Sequence, residues 1–159
     1  MEAIVANIGM TEDQKSASSQ ILQKMLANQY VLYTKTRNYH WNVEGPQFLQ
    51  MHEFYERLYT ELEEGFDEVA ERIRQLGHYS EGRLKDFLSI TDLLEQDYPI
   101  HQREQVTNLL NDHETIIRLL RNDVDKLTDE IKDAGTADFA TGMMEKHEQW
   151  AWFLRSYLR

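Results

Sequence analysis

The chain has 159 residues, 41% of them apolar and 28% charged, so we expect a single globular domain over residues 1–159 with one sizeable core. It has no cysteine, which excludes disulfides within the chain and leaves histidine and carboxylate side chains as metal ligands. Its net charge of −11 disfavours a nucleic-acid partner and favours cations. Without an apolar run of membrane-spanning length or the pattern of a secretory signal, we expect a cytoplasmic protein that does not cross a membrane.

Apolar residues at steps of three and four predict four long helices, over residues 11–36, 46–76, 102–133 and 137–157. Thr11, with Gln14 three residues later, has the pattern of a capping box at the start of the first helix. Pro46 suits the first turn of the second helix, and Gly77 suits its end.

The connection between the second and third helices, residues 77–101, is long for a compact bundle. Within it we expect a short helix over residues 90–96, with Thr91 near its start. We expect the pair Ala134-Gly135 to end the third helix. These elements describe an all-α, ferritin-like four-helix bundle with a short extra helix in the long connection between helices 2 and 3.

Two histidines, His113 and His147, fall on the inward stripes of the third and fourth helices, where we find no carboxylate. A di-metal site in the core of such a bundle needs a Glu from each of two helices and Glu-x-x-His from the other two. We therefore interpret both histidines as hydrogen-bonded core residues rather than as metal ligands.

The second helix carries a histidine and several acids on one flank. At about 100° per residue, the acids lie within about 100° of His52, beside the apolar stripe, and they are Glu56, Glu63, Asp67 and Glu71. A solvated acidic face is the alternative interpretation. His52 and Asp67 are 15 residues apart, about 22 Å along a straight helix, so one metal ion cannot contact both. Either the two ends are unrelated, or a second copy packed antiparallel about a two-fold axis completes the site.

Two segments of this sequence resemble a known family. They are Asn38-Tyr39-His40-Trp41-Asn42-Val43-Glu44-Gly45, followed by Phe48 and His52, and Phe66-Asp67-Glu68-Val69-Ala70-Glu71-Arg72, followed by Leu76-Gly77. Their residues and spacing resemble the Dps family, the "DNA-binding proteins from starved cells", which are miniature ferritins. The resemblance covers essentially the whole chain, including the long connection.

The resemblance implies an iron-oxidation (ferroxidase) site between two subunits. The matching positions are His40 and His52 from one chain and Asp67 and Glu71 from its two-fold neighbour. Some members use a carboxylate one turn after the second histidine, where Glu56 stands here.

Three further features follow from the same resemblance. Trp41 matches an aromatic residue associated with electron transfer, although an indole packed at the interface is an equal alternative. The resemblance also implies acidic pores that admit iron. Around the junction of the third and fourth helices, the candidates are Asp129, Asp133 and Asp138.

The implied function is oxidation of Fe(II), with hydrogen peroxide or dioxygen, and storage of ferric iron in a hollow dodecamer that protects against oxidative stress. Zinc or manganese could compete for such ligands. The alternative function is a nucleoid-associated, DNA-protecting cage. We expect weak or absent DNA binding, because the N-terminus carries Glu2, Glu12 and Asp13 before its first lysine, Lys15. A purely structural helical assembly is a third interpretation, which leaves the histidine and carboxylate pattern as an accident.

Overall fold

The computed structural model describes residues 5–99 and 101–159, and within these ranges every regular element is helical. The α-helices are α1 (Glu12–Asn42), α2 (Phe48–Gln75), α3 (Leu84–Ile90), α4 (Gln102–Lys126) and α5 (Ala134–Leu158). A π-helical turn, Leu127–Ile131, continues α4. Helix α1 packs mainly on α2, and α4 packs mainly on α5. The predicted all-α bundle of four long helices with a short extra helix is therefore confirmed.

Helix α1 begins at the predicted capping box but ends later than predicted. The Thr11 side chain accepts a hydrogen bond from the Gln14 backbone, and the Gln14 side chain accepts one from the Thr11 backbone. We predicted the end at residue 36, whereas the helix continues to Asn42. At this end the Val43 N–H donates to the carbonyl oxygen of Tyr39, and the Asn42 side chain donates to that of Asn38. The extension places His40 on a rigid helix rather than in a loop.

Helix α2 follows the predicted apolar register. Its buried residues recur at steps of three and four, and they include Met51, Tyr55, Leu58, Leu62, Val69 and Ile73. Gly77 has φ of 93°, a left-handed conformation that favours glycine, which explains the predicted stop. His52, Glu56, Asp67 and Glu71 therefore lie on one continuous helix.

The short helix of the long connection lies earlier than predicted. We predicted it over residues 90–96, and this was wrong, because α3 spans Leu84–Ile90 and the residues after it are not helical. The Asn28 side-chain oxygen accepts hydrogen bonds from the Thr91 hydroxyl and the Asp92 backbone N–H. These bonds tie the chain to α1 where Thr91 is extended, so the helix ends there. Phe87 of α3 is buried instead.

The junction between α4 and α5 also differs from the prediction. We predicted that Ala134-Gly135 would end a helix, but these residues open α5. Lys132 adopts a left-handed conformation with φ of 65°, which reverses the chain after the π-helical turn. Asp133 then caps α5, because its side chain accepts a hydrogen bond from the Thr136 backbone N–H.

The buried histidines lie in the core, as predicted. The Nδ1 atoms of His113 and His147 are 2.9 Å apart, so one ring donates a hydrogen bond to the other. The Nε2 atom of His113 is buried without a hydrogen-bond partner. We did not predict the neighbouring buried carboxylate, Asp112, whose Oδ2 lies 2.5 Å from Lys35 Nζ. Asp112 is thus engaged by a lysine.

None of the helices described here is long and apolar enough to cross a lipid bilayer.

Candidate metal centre

His40 and His52 come together where α1 and α2 meet. His40 lies in the last turn of α1, and His52 lies in the second turn of α2. Their rings stack with centroids 3.7 Å apart and planes inclined by 21°. The Phe48 ring lies 5.2 Å from that of His52, and the Tyr59 ring meets His40 edge-on at 5.2 Å. An aromatic ring therefore packs against each histidine of the pair.

Each histidine of the pair is fixed by the backbone of the other. His40 Nδ1 lies 2.8 Å from the His52 carbonyl oxygen, and His52 Nδ1 lies 2.9 Å from the His40 carbonyl oxygen. A carbonyl oxygen can only accept, so each Nδ1 carries the hydrogen. A neutral ring in this tautomer keeps its lone pair on Nε2, the nitrogen that can bind a metal.

The backbone geometry explains why these bonds form. The His40 carbonyl belongs to the last turn of α1, where carbonyl groups have no partner within the helix. The His52 ring supplies that partner. The His40 side chain is buried, which limits the rotamers available to it. The two rings are thus pre-oriented by the helix junction.

The acidic candidates lie elsewhere on α2. Glu56, Asp67 and Glu71 are all exposed. Glu56 is one turn from His52, whereas Asp67 is about 22 Å along the helix axis. Within residues 5–99 and 101–159, no group of three histidine or acidic side chains could hold one metal ion. The structure therefore unites the two histidines but not the acids of the predicted site.

Two residues beside the histidine pair were not predicted. Tyr59 contacts His40, and its hydroxyl lies 3.5 Å from a carboxylate oxygen of Glu56. The Arg37 guanidinium lies 4.9 Å from the Tyr59 ring centroid and 5.8 Å from that of Trp41, whose side chain is 63% exposed. Tyr59 could have been found from the sequence, because it follows His52 by two helical turns and therefore lies on the same side of α2.

The three acids predicted for a pore have different environments. Asp129 and Asp138 are exposed. Asp133 is buried, and its carboxylate accepts hydrogen bonds from the Ser18 hydroxyl at 2.7 Å and from the Thr136 backbone at 3.0 Å. Burial alone would raise the pKa of Asp133, but the hydrogen bonds from Thr136 and Ser18 hold it below its ordinary value. Asp133 is therefore a structural cap.

Comparison with known proteins shows which family the chain matches. Residues 19–159 match the family described as Ferritin-like domain. The chain is 46% identical to an uncharacterized low temperature-induced protein of Nostoc sp. over 154 residues. This match covers 96% of this chain and 86% of that protein. It is 34% identical over 139 residues to DNA protection during starvation protein 2 of Bacillus anthracis, covering 87% and 94% of the two chains.

Solved structures agree with this relationship. The Dps protein of Vibrio cholerae superposes with a TM-score of 0.91 at 28% identity and covers both chains fully. It is described as a member of a broad superfamily of ferritin-like diiron-carboxylate proteins. The Dps protein of Bacillus brevis superposes with a TM-score of 0.88 at 31% identity, covering 94% of this chain and all of that one. The chain belongs to the Dps family of ferritin-like proteins.

Proposed function

We propose that this protein oxidises Fe(II) at sites shared by two copies of the chain. In each site His40 and His52 come from one copy, and Asp67 and Glu71 come from the other. The observation that carries the proposal is the reciprocal hydrogen bonding of His40 and His52, which leaves both Nε2 atoms as the available ligand nitrogens.

The length of α2 explains why two copies are required. His52 and Asp67 lie about 22 Å apart along one helix, beyond the reach of one ion. If two α2 helices pack antiparallel about a two-fold axis, the histidine end of each helix meets the acidic end of the other. Isologous packing then forms two identical sites at once. The exposure of Asp67 and Glu71 in one chain leaves them free for this contact.

The ligand set suits iron as a substrate. Imidazole and carboxylate groups bind Fe(II), and carboxylates favour the harder Fe(III) product. Two histidines and two acids leave coordination positions open for an oxidant. With hydrogen peroxide the balanced reaction is 2 Fe(II) + H2O2 → 2 Fe(III) + 2 OH⁻. Dioxygen is the alternative oxidant. Glu56, one turn from His52, is a candidate further ligand.

Storage of the ferric product follows from assembly into a hollow dodecamer, which we propose on the family relationship. The exposed Asp129 and Asp138 are candidates for the acidic pores that admit iron. We leave Asp133 out of this pore, because its carboxylate is occupied by structural hydrogen bonds.

Binding of DNA is the second candidate function, because several relatives are named for DNA protection during starvation. The net charge of −11 opposes it, since each phosphate contact must overcome long-range repulsion. We expect no retention of duplex DNA in a gel-shift assay at low salt. Tight, salt-sensitive retention would favour the DNA-binding function.

Iron oxidation can be tested by adding Fe(II) and hydrogen peroxide to the purified protein and following ferric absorbance. We expect His52→Ala and Asp67→Ala to lose the rapid phase while assembly is unchanged. Glu145→Ala is a matched control, because it removes an exposed acid of α5 that is not among the proposed ligands. Full activity in both site variants would contradict the assignment.

A further inference from the structure

A small cavity lies inside the bundle between α1, α2 and α5. Its volume is about 20 Å³, which is enough for one water molecule or one metal ion. An amide, a thioether, an imidazole and an indole line it, and they belong to Gln29, Met143, His147 and Trp150. Each of these residues is at most 3% exposed. The cavity therefore brings a sulfur donor and a nitrogen donor together, away from bulk water.

A glycine keeps the cavity open. Gly65 lies in the interior of α2, where glycine costs about 1 kcal/mol relative to alanine. A Cβ atom at this position would lie 2.9 Å from Gln29 Oε1 and 3.8 Å from Met143 Sδ. A side chain here would therefore fill the space beside the sulfur and the amide oxygen. The missing side chain explains why the packed core contains a gap at this point.

The His147 ring is oriented by its neighbour in the core. Its Nδ1 lies 2.9 Å from Nδ1 of His113, so Nε2 is the nitrogen that remains for the cavity. If Nε2 carries the lone pair, Nδ1 carries the hydrogen and donates it to His113. This is the usual arrangement of a metal-binding histidine, whose second nitrogen donates to a fixed partner.

The sulfur is held on the same side of α5. Met143 precedes His147 by four residues, about one helical turn, so the thioether and the imidazole share a face of the helix. Gln29 Nε2 lies 3.7 Å from Met143 Sδ and restrains the flexible side chain. The two donor atoms are therefore neighbours before any ion binds.

Two exposed side chains of opposite charge line the outer side of the cavity. The Glu61 carboxylate accepts a hydrogen bond from Trp150 Nε1 at 2.7 Å, which holds its negative charge close to the cavity. Lys146 lies here as well, but its ammonium group is 3.2 Å from the Glu68 carboxylate. The charge of the lysine is thus balanced by a second acid, and that of Glu61 favours a cation.

The donor set selects the kind of ion. Among the residues that the structure describes, no three histidine or acidic side chains could hold one ion, so a hard divalent ion lacks the ligands it prefers here. Thioether and imidazole groups instead suit Cu(I). The lack of inward carboxylates, which argues against iron in the core, therefore does not argue against a soft ion.

We propose that this cavity binds one Cu(I) ion through Met143 Sδ and His147 Nε2. The site lies on α5 and is distinct from the pair formed by His40 and His52 where α1 meets α2. It does not depend on the iron chemistry proposed above. Because Cu(I) reduces hydrogen peroxide, an ion held in this buried site is withdrawn from that reaction.

The test uses the assembled full chain, stripped of metal and kept free of oxygen and chloride. Ag(I), a soft monovalent ion that stays redox-inert here, is titrated while tryptophan emission is followed. Trp150 is buried, whereas Trp41 and Trp152 are 63% and 57% exposed, so Trp150 emits at shorter wavelength. We expect one Ag(I) per chain to quench this short-wavelength emission, and we expect Cu(I) to compete for the same site.

Two neighbouring methionines provide a matched pair of variants. Met143→Leu removes the sulfur with little change in volume, and it should lower the affinity for Ag(I) at least about tenfold. Met144→Leu removes the buried thioether of the next residue, which lies outside the cavity, and it should keep the affinity. In His52→Ala the binding that depends on Met143 should persist, because the iron site is separate.

X-ray absorption of the unmodified protein loaded with Cu(I) needs no variant. We expect one sulfur ligand and at least one imidazole nitrogen. A spectrum without sulfur would overturn the site, and so would unchanged affinity in Met143→Leu or an equal loss in Met144→Leu. If neither Ag(I) nor Cu(I) binds, the cavity holds water only and the proposal fails. Loss of binding in His52→Ala would assign the ion to the histidine pair instead, whereas a lack of Fe(II) oxidation would contradict only the proposed function.

Discussion

The imidazole rings of His40 and His52 are held in place by each other's backbone, with each Nδ1 hydrogen-bonded to the partner residue's carbonyl oxygen at 2.8 and 2.9 Å. Two helix segments are thereby joined at the point where α1 ends. The same bonds that stabilise the junction of α1 and α2 fix the tautomer of both rings. A substitution that keeps the ring but removes its nitrogens should therefore lower both the stability of the helix junction and the affinity for metal.

The first prediction concerns His52→Phe. The change keeps a ring beside His40 and Phe48, but it removes Nε2 and the hydrogen bond to the His40 carbonyl. We expect a loss of about 1 kcal/mol in the free energy of unfolding, typical of one hydrogen bond. Affinity of the assembled protein for Co(II), a divalent probe that peroxide-free buffer does not oxidise, should fall at least about tenfold. Isothermal titration measures the affinity, and unchanged affinity would remove His52 from the site.

The second prediction concerns acid stability and the buried pair His113 and His147. Burial lowers the pKa of both rings, that of His147 to about 4. The unfolded chain, with histidine pKa near 6.5, therefore binds more protons than the folded chain between pH 6.5 and 4. Stability should be unaffected above this window and should fall within it, by up to about 3 kcal/mol for His147.

Denaturant unfolding at a series of pH values tests this window. The double variant His113→Leu/His147→Leu removes both titrating groups and the unsatisfied His113 Nε2, so its stability should depend much less on pH in that range. If the double variant keeps the full acid dependence, other groups cause it.

The third prediction concerns the cap of α5. Asp133→Ala removes the acceptor for the Thr136 backbone and for the Ser18 hydroxyl. We expect a loss of about 1–2 kcal/mol at neutral pH. Because the pKa of Asp133 is lowered on folding, its contribution is present above its unfolded pKa and is lost as the pH falls through the folded pKa, below about 4. Asp138→Ala, at an exposed site four residues into α5, should change stability by less than about 0.5 kcal/mol.

The fourth prediction compares two helical glycines. A Cβ atom at Gly65 would lie 2.9 Å from Oε1 of the buried Gln29, whose side chain also contacts Met143, so Gly65→Ala must displace a packed group. We expect a loss of about 1–3 kcal/mol. A Cβ atom at Gly142 meets nothing within 4 Å, so Gly142→Ala should gain up to about 1 kcal/mol from helix propensity. Thermal unfolding of both variants checks the difference, and equal effects would contradict the packing of α2 described here.

The sequence predicted what depends on local periodicity. The register of α2, its glycine stop and the Thr11 capping box follow from spacing alone, and the structure confirms them. The position of α3 could not be predicted, because Asn28 holds Thr91 through a contact 63 residues away in the chain. The left-handed conformation of Lys132 could not be predicted either, because lysine rarely adopts a positive φ and gives no sequence signal for one.

For the candidate site, too, some features could be predicted from the sequence and others could not. The spacing of His52, Asp67 and Glu71 left two interpretations, either that the two ends of the helix are unrelated or that a second copy completes a metal site, and the shared site stays a prediction. The reciprocal bonds between His40 and His52 could not be predicted, because they depend on how residues 43–47 join α1 to α2. Asp133 was grouped with exposed acids, since sequence alone does not distinguish a buried helix cap from a pore carboxylate.

The central claim is that no single chain contains a complete iron-oxidation site. Co-assembly of two inactive variants tests this claim most directly. His52→Ala and Asp67→Ala subunits are mixed in equal amounts, dissociated, reassembled and assayed for Fe(II) oxidation. Where the two variants meet, one of the two sites combines an intact histidine end with an intact acidic end. Random mixing should therefore restore about a quarter of the unmodified activity. A mixture no more active than its parents would show that the sites are not shared between chains.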